Sequence, residues 1–351
     1  MTYIAKPRVY HSGLRENPLG LTIRDYEGGL STLCAGCGHD SITTALVQAC
    51  WELALKPEQV IKLSGIGCSS KTPAYFLSGS HGFNSVHGRM PAVATGALAA
   101  NRDLVCIGIS GDGDSLSIGF GQFAHAVRRN LNMLYIIENN GVYGLTKGQF
   151  SASADPGSKA KYGEINRNQS IDPVAAAITL GGSFAARAFS GDKDQLVPMI
   201  KAGLRHPGCA VIDVVSPCVT FNDHEGSTKS YAHTRSNSHQ VVHVDFVPPA
   251  EPITARQTDG QQVPVRLHDG STILLRKTDP DYEPTDRLTA MACLERHRRK
   301  REIVTGVLFM DTDLAEFHQI AGTSSGALTD LAFEDLNPGN DKLQALQQKL
   351  R

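Results

Sequence analysis

Between about residues 40 and 250, short apolar runs alternate with stretches of helical period, and this alternation limits the fold more than any other property of the chain. Val60–Leu63, Leu104–Ile109, Met133–Ile137 and Ala210–Val215 each read as a short buried strand. Asp40 is placed to cap a helix carrying Leu46, Val47, Cys50, Leu53 and Ala54 on one face. Pro91 suits the first turn of a helix over Ala92–Ala100, a further helix is expected to run through Arg129, and Asp172-Pro173 opens another. Strands alternating with helices predict an α/β fold, a parallel sheet with helices on both faces. Ligands of such sheets collect beyond the carboxyl ends of the strands. Here four such ends read Gly65-Ile66-Gly67-Cys68, Gly111-Asp112-Gly113-Asp114, Glu138-Asn139-Asn140-Gly141 and Ser216-Pro217-Cys218. Glycines and ligand-type side chains at four ends of one rim predict a shared site.

Composition narrows the class. With 351 residues and 41% hydrophobic content the chain can bury a large core, and one domain per roughly 150 residues suggests two units. Lys plus Arg (34) nearly cancels Asp plus Glu (35), which argues against nucleic acid or an anionic membrane as the main partner. No apolar run approaches the ~20 residues of a membrane span. Met1–Gly20 has no apolar signal core, so a soluble cytoplasmic protein is expected. Composition shifts beyond Pro248-Pro249, dividing residues 1–250 from a C-terminal extension, 251–351, expected to pack on the core or on a partner. In that extension Val263–Lys277 reads as a hairpin about His268-Asp269-Gly270, and Leu288–Arg301 as a helix whose basic end is solvated and favoured by the helix dipole. Gly144–Ile171 is too long and polar for an idle connection and is expected to order over a ligand.

Gly111-Asp112-Gly113 followed about 28 residues later by Asn139-Asn140 is the first strong chemical signal. Glycines let the backbone approach a phosphate, and a helix N-terminus favours its charge. Asp112, the amide oxygen of Asn140 and the carbonyl of Val142 are hard oxygen ligands suited to Mg²⁺. The pattern resembles a thiamine diphosphate motif. A dinucleotide fingerprint fits worse, because Leu116 stands where its third glycine belongs.

The eight cysteines divide into two groups. Cys50, Cys106, Cys209 and Cys293 lie within apolar strands and helix faces and read as buried thiols. Cys34 and Cys37 form a C-x-x-C turn, and Cys68 and Cys218 each end a strand beside Gly or Pro. A redox pair, a structural zinc site and a 4Fe–4S cluster are all compatible with these residue types.

Taken together, the motifs resemble the β subunit of 2-oxoacid:ferredoxin oxidoreductases. The resemblance runs from Cys34-Ala35-Gly36-Cys37-Gly38-His39 through Gly65–Ser70, His87-Gly88-Arg89 and Gly111–Asp114 to Asn139–Gln149 and Ser216-Pro217-Cys218. It implies a thiamine diphosphate-binding fold, with Gly67, Ser69, His87, Gly111, Asp112, Gly113, Asp114, Asn140, Tyr143, Gly144, Leu145 and Thr146 at the cofactor. It also implies Mg²⁺ on Asp112, Asn140 and Val142, and a 4Fe–4S cluster on Cys34, Cys37, Cys68 and Cys218. Lys147 matches a lysine placed to meet an acidic substrate or coenzyme A, which leans towards 2-oxoglutarate over pyruvate or a branched-chain 2-oxoacid. The implied activity is coenzyme A-dependent oxidative decarboxylation, with electrons passing to ferredoxin and an α subunit supplying the carboxylate that activates the cofactor. The competing expectation is a non-oxidative thiamine decarboxylase or synthase with structural zinc. Phe150-Ser151-Ala152-Ser153 stands where the family pattern leads one to expect a Ser-Pro-Thr-like stretch.

Overall fold

The computed structural model describes residues 11, 13–247, 262–266, 272–279, 282–337 and 339–350. The first ten residues, the Pro248-Pro249 junction and the His268-Asp269-Gly270 turn lie outside them. Four strands come first in the chain: β1 (Val60–Ser64), β2 (His81–Asn84), β3 (Val105–Gly111) and β4 (Met133–Asn139). A small hairpin of β5 (Val142–Tyr143) and β6 (Gln149–Phe150) follows, then β7 (Phe184–Phe189), β8 (Cys209–Val215) and β9 (Ser238–Gln240). The antiparallel trio β10 (Val242–Val247), β11 (Gln262–Arg266) and β12 (Thr272–Lys277) contains the expected hairpin, and β13 (Ile303–Met310) closes the series.

The main sheet has eight strands in the order β2-β1-β3-β4-β8-β7-β13-β9. Its first six are parallel throughout, while β13 runs antiparallel to β7 and carries β9 parallel to itself. Every residue of β1, β4, β7 and β8 is buried, as strands covered on both faces require. The register sets Gly111 opposite Glu138 and Asn139 opposite Val215, so the glycine- and ligand-rich ends come level on one rim.

Helix α1 (Gly38–Glu52) packs on α5 (Lys193–Arg205) over one face. On the other, α2 (Met90–Ala100) meets α3 (Phe120–Arg128), which meets α4 (Pro173–Thr179). Cys37, not Asp40, stands at the cap of α1. The helix starts early because Gly38 is pressed against the end of β8, where a Cβ would lie 2.5 Å from Ser216 Oγ. Asp40 falls in the first turn, where its charge is still favourable, and accepts a hydrogen bond from Ser31 (2.6 Å). Ala54 lies beyond the helix at φ 47°. Between β3 and α3 the chain makes a π-type turn, Asp114–Ile118. Such turns recur at functional sites.

Two further helices, α6 (Tyr231–Asn237) and α7 (Arg287–Arg299), complete the frame, and α7 packs on β13. Cys293, Leu294, Val304 and Leu308 join the same hydrophobic core as Ile107 and Ile136. From beyond residue 250, β13 joins the main sheet between β7 and β9. Among the described residues no helix is long and apolar enough to cross a membrane.

β7 carries a buried charge. Arg187 Nε donates to Asp213 on β8 and its Nη2 to Asp172, the cap of α4, both at 2.6 Å. Burial pushes the pKa of Asp172 up, but the Arg187 guanidinium, the Ala175 amide and the Lys229 charge together outweigh it and hold the carboxyl below its ordinary value. A depressed carboxylate contributes stability above its unfolded pKa of about 3.9 and loses it as pH falls through the folded value. Arg187→Met is expected to cost about 3–5 kcal/mol at pH 7, by removing the buried cation that pairs with the buried Asp213 and the half-buried Asp172. Urea unfolding across pH should show that deficit shrinking below pH ~4, where protonation removes the repulsion.

Candidate functional site

The carboxyl ends of β1, β3 and β4 open into one cleft. Gly67, Cys68 and Ser69 reach it from β1, and His87 from the turn before α2. Gly111, Asp112, Gly113 and Asp114 line it from β3, and Asn140, Val142, Tyr143, Gly144, Leu145 and Thr146 from β4. A side chain is excluded at Gly113 and would be crowded at Gly111, the two glycines of the β3 turn. A Cβ on Gly113 would lie 2.4 Å from the Tyr143 ring, and one on Gly111 3.1 Å from Ser69 Oγ.

Asp112 is only 1% exposed. It accepts hydrogen bonds from Ser153 Oγ (2.5 Å), from Ser151 Oγ, and from the amides of Gly141 (3.1 Å) and Asn140 (3.4 Å). Burial pushes its pKa up, and these donors oppose the shift without cancelling it. Asn140 Oδ1 accepts from the amide of Val142 (3.0 Å), folding the β4 end back over Asp112. The result is a carboxylate, an amide oxygen and a carbonyl in one buried turn, hard donors of the kind Mg²⁺ takes.

Asp114 is engaged differently. Its Oδ1 accepts from His87 Nδ1 and from the amides of Gly88 (2.7 Å) and Ile66 (3.2 Å), and its Oδ2 from Ser110 (2.5 Å). Both oxygens are thus used inside the protein, tying together the ends of β1 and β3 and the His87 turn. Because a carboxylate only accepts, His87 carries its proton on Nδ1 and presents Nε2, with the Tyr143 ring edge-on at 6.3 Å.

The four ligand-type cysteines occupy one neighbourhood. Thr220 Oγ1 donates to Cys34 Sγ (3.3 Å), and the Gly38 amide donates to Pro217 (3.3 Å), docking the C-x-x-C turn on the segment that carries Cys218. Cys68 and Cys218 meet at Gly144, where a Cβ would lie 3.5 and 3.8 Å from their sulfurs. Burial pushes the Cys37 thiol up to about 12, and burial with Cys218 nearby raises Cys68. Among the described residues no three His, Cys, Asp or Glu side chains converge on a single-ion point. The other four cysteines are buried in the core, as their sequence context predicts.

Lys147 does not line the cleft. It is exposed at the tip of the β5–β6 hairpin, at φ 79°, a left-handed conformation that a lysine adopts at a cost. Conversely, His39 and Glu138 do line it. Glu138, fully buried, accepts from Thr72 Oγ1 at 2.9 and 3.1 Å and lies 3.5 Å from His39. Burial pushes the glutamate pKa well up and the histidine down to about 4, so each group's surroundings disfavour its charged form. The period of two along β4, which puts Glu138 on the side of Asn140, is the signal that would have found it.

Residues 65–214 match the model of the thiamine pyrophosphate enzyme C-terminal TPP binding domain, a span that contains the whole β1–β3–β4 rim. A 2-oxoacid:ferredoxin oxidoreductase subunit beta from Sulfolobus sp is 42% identical over 224 residues, covering 64% of this chain and 71% of that one. The chain belongs to this β-subunit family. It is therefore an oxidoreductase subunit with a thiamine diphosphate-binding domain, and the fold expected from its motifs is the fold it has. The 2-oxoglutarate oxidoreductase subunit KorB of Mycobacterium tuberculosis is 39% identical over 191 residues, 54% of this chain and 51% of that one. Among solved structures, the 2-oxoglutarate:ferredoxin oxidoreductase from Magnetococcus marinus superposes with a TM-score of 0.71 at 27% identity, covering 96% of this chain and 99% of that one.

The Asp114–His87 pair gives this β subunit a direct test. Asp114→Asn keeps the shape but lets the amide donate, so the ring loses its enforced tautomer. Thiamine diphosphate affinity, read by calorimetry at saturating Mg²⁺, is expected to fall about tenfold. An unchanged value would make the pair purely architectural.

Proposed function

We propose that this chain, joined by an α subunit, carries out coenzyme A-dependent oxidative decarboxylation of a 2-oxoacid, 2-oxoglutarate foremost. The overall reaction converts 2-oxoglutarate, coenzyme A and two oxidised ferredoxins into succinyl-CoA, carbon dioxide, a proton and two reduced ferredoxins. Carrying the proposal is the position of Gly144, one residue of the cofactor cleft whose other side is flanked by the sulfurs of Cys68 and Cys218. A cleft for a diphosphate and a nest of thiols thus share one wall, as an electron transfer between them requires.

The donor sets suit the implied groups. Asp112, Asn140 and the carbonyl of Val142 would hold Mg²⁺, whose charge offsets the burial that now disfavours the Asp112 carboxylate. Cys34, Cys37, Cys68 and Cys218 would hold a 4Fe–4S cluster, and iron would favour the thiolate that burial opposes at Cys37 and Cys68. Thiamine diphosphate bound here supplies a carbon nucleophile and an electron sink for loss of carbon dioxide. The chain's own part is to anchor the diphosphate end through the Asp112 turn and to orient His87 through Asp114. Lys147 would meet the distal carboxylate of a dicarboxylic substrate or a phosphate of coenzyme A.

Support for 2-oxoglutarate comes from relatives named for it and from the Magnetococcus marinus structure, described with 2-oxoglutarate, coenzyme A and succinyl-CoA bound. Support for a partner comes from Ile66 and Leu145, which line the cleft, and from Val86 beside His87, all of which leave large apolar side chains exposed. Such a rim marks a protein contact.

Elemental analysis of the co-expressed, anaerobically purified complex is expected to find about four irons per chain, falling sharply in Cys218→Ser. Zinc in place of iron would overturn the proposal. Lys147→Ala should raise KM for 2-oxoglutarate about tenfold while leaving pyruvate turnover, read by viologen reduction, nearly untouched. An equal effect on both acids would move Lys147 out of substrate selection.

A further inference from the structure

The segment that follows the β5–β6 hairpin is closed on itself and touches the cofactor rim through two hydroxyls. Its ends meet where the Ile171 amide donates to Ala152 (2.7 Å), and Asn166 braces the interior by donating to Ala154 (2.7 Å) and Asp155 (3.3 Å). At its start, Ser153 Oγ lies 2.5 Å from Asp112 Oδ2 and 2.8 Å from Asn139 Oδ1. A hydroxyl has one proton, so these two acceptors compete for it. Asn139 is itself fixed, because its amide donates to Asp213 (2.9 Å). Asp213 binds Arg187, Arg187 binds Asp172, and Asp172 is the residue at which the segment ends and α4 begins. The start of the segment is thus held by Asp112 and its end by a buried polar chain that returns to the same serine.

We propose that Ser153 is the positioning residue of Asp112, and that it latches residues 152–171 to the cation site so that cation binding and ordering of this segment are one coupled equilibrium. The proposal rests on the reading of Asp112 as a magnesium ligand. Ser153 donates to Oδ2, which Ser151 and the Gly141 amide also hold, while Oδ1 accepts only the long bond from the Asn140 amide (3.4 Å). Without that donor Oδ2 keeps only Ser151 and the Gly141 amide, and the segment loses its direct tie to Asp112. Groups hydrogen-bonded to metal ligands typically carry 10–100-fold of metal affinity. Ser151 also donates to Asp112, but it sits on the hairpin side, where its own amide is bound by Gly141 (3.1 Å). Ser153 alone joins Asp112 to Asn139.

The test uses the assembled complex and three variants. Ser153 also lines a second cavity of about 230 Å³ behind the rim, so the extra methyl of S153T has room, and S153V matches it in shape without the hydroxyl. Mg²⁺ affinity is read by calorimetry in the presence of thiamine diphosphate, and deuterium exchange is followed over peptides covering 154–171. S153A and S153V are expected to weaken Mg²⁺ about tenfold and to raise exchange in those peptides, with β8 unchanged; S153T restores both. Mg²⁺ affinity within twofold of the parent in S153V, with or without faster exchange, overturns the latch, as does S153T behaving like S153V. Should S153A not assemble, the S153T and S153V pair decides alone. Asp112→Ala separates the two levels: Mg²⁺ binding retained there defeats the magnesium reading itself, whereas binding lost there but kept in S153V defeats only the latch.

Discussion

A carboxylate with almost no water around it sets the terms for the rest of this molecule. Burying Asp112 is tolerable only because two serine hydroxyls and two backbone amides converge on it, and each comes from beyond the neighbouring strand. The turn after β4 must fold back, the hairpin must close, and the following segment must return to the rim before that carboxylate is satisfied. Much of the architecture around β3 and β4 can be understood as the supply of those donors. A cation in the cleft would add to the same balance, since its charge favours the ionised form that burial opposes.

Parallel pairing makes this convergence possible. Because β1, β3, β4 and β8 run the same way in matched register, their carboxyl ends arrive level, and residues 150 positions apart in sequence become neighbours. Cys68 and Cys218 are such a pair, brought to either side of Gly144. An antiparallel arrangement would have sent alternate ends to opposite edges and left the thiols and the diphosphate cleft apart. The two strands that do break the rule, β13 and β9, lie at the far edge, beyond β7 and away from the cleft.

What the sequence made legible, and what it hid, follows from how far each interaction reaches along the chain. The rim was readable because its residues sit at strand ends, where glycine, Asp, Asn and Cys contrast with an apolar run. The core cysteines were separable from the others for the same reason. β7 was not foreseen, because Phe-Ala-Ala-Arg-Ala-Phe carries a charge whose partners, Asp172 and Asp213, lie 15 and 26 residues away. β13 was hidden because its pairing with β7 spans over a hundred residues. Asp114 was legible as a cleft residue, but its bonds to His87, Ser110 and two amides were not, because they depend on where β1 and β2 end. Ser151 and Ser153 read as a departure from a family pattern, yet in space they are the residues that bind Asp112.

The same geometry bears on why such a chain would need a partner. The deep half of the cleft is finished: its amides, hydroxyls and carboxyls are mutually satisfied, and its glycines leave no slack. The mouth is not finished. Leu145 is 59% and Val86 76% exposed beside residues that line the site, and the hairpin tip holds Lys147 in a strained turn facing solvent. A thiamine-dependent reaction must exclude water from the reacting carbon, and nothing among the described residues closes over that end. Under the proposed reaction, the finished half would hold the diphosphate, and the open half would leave substrate enclosure to a second surface.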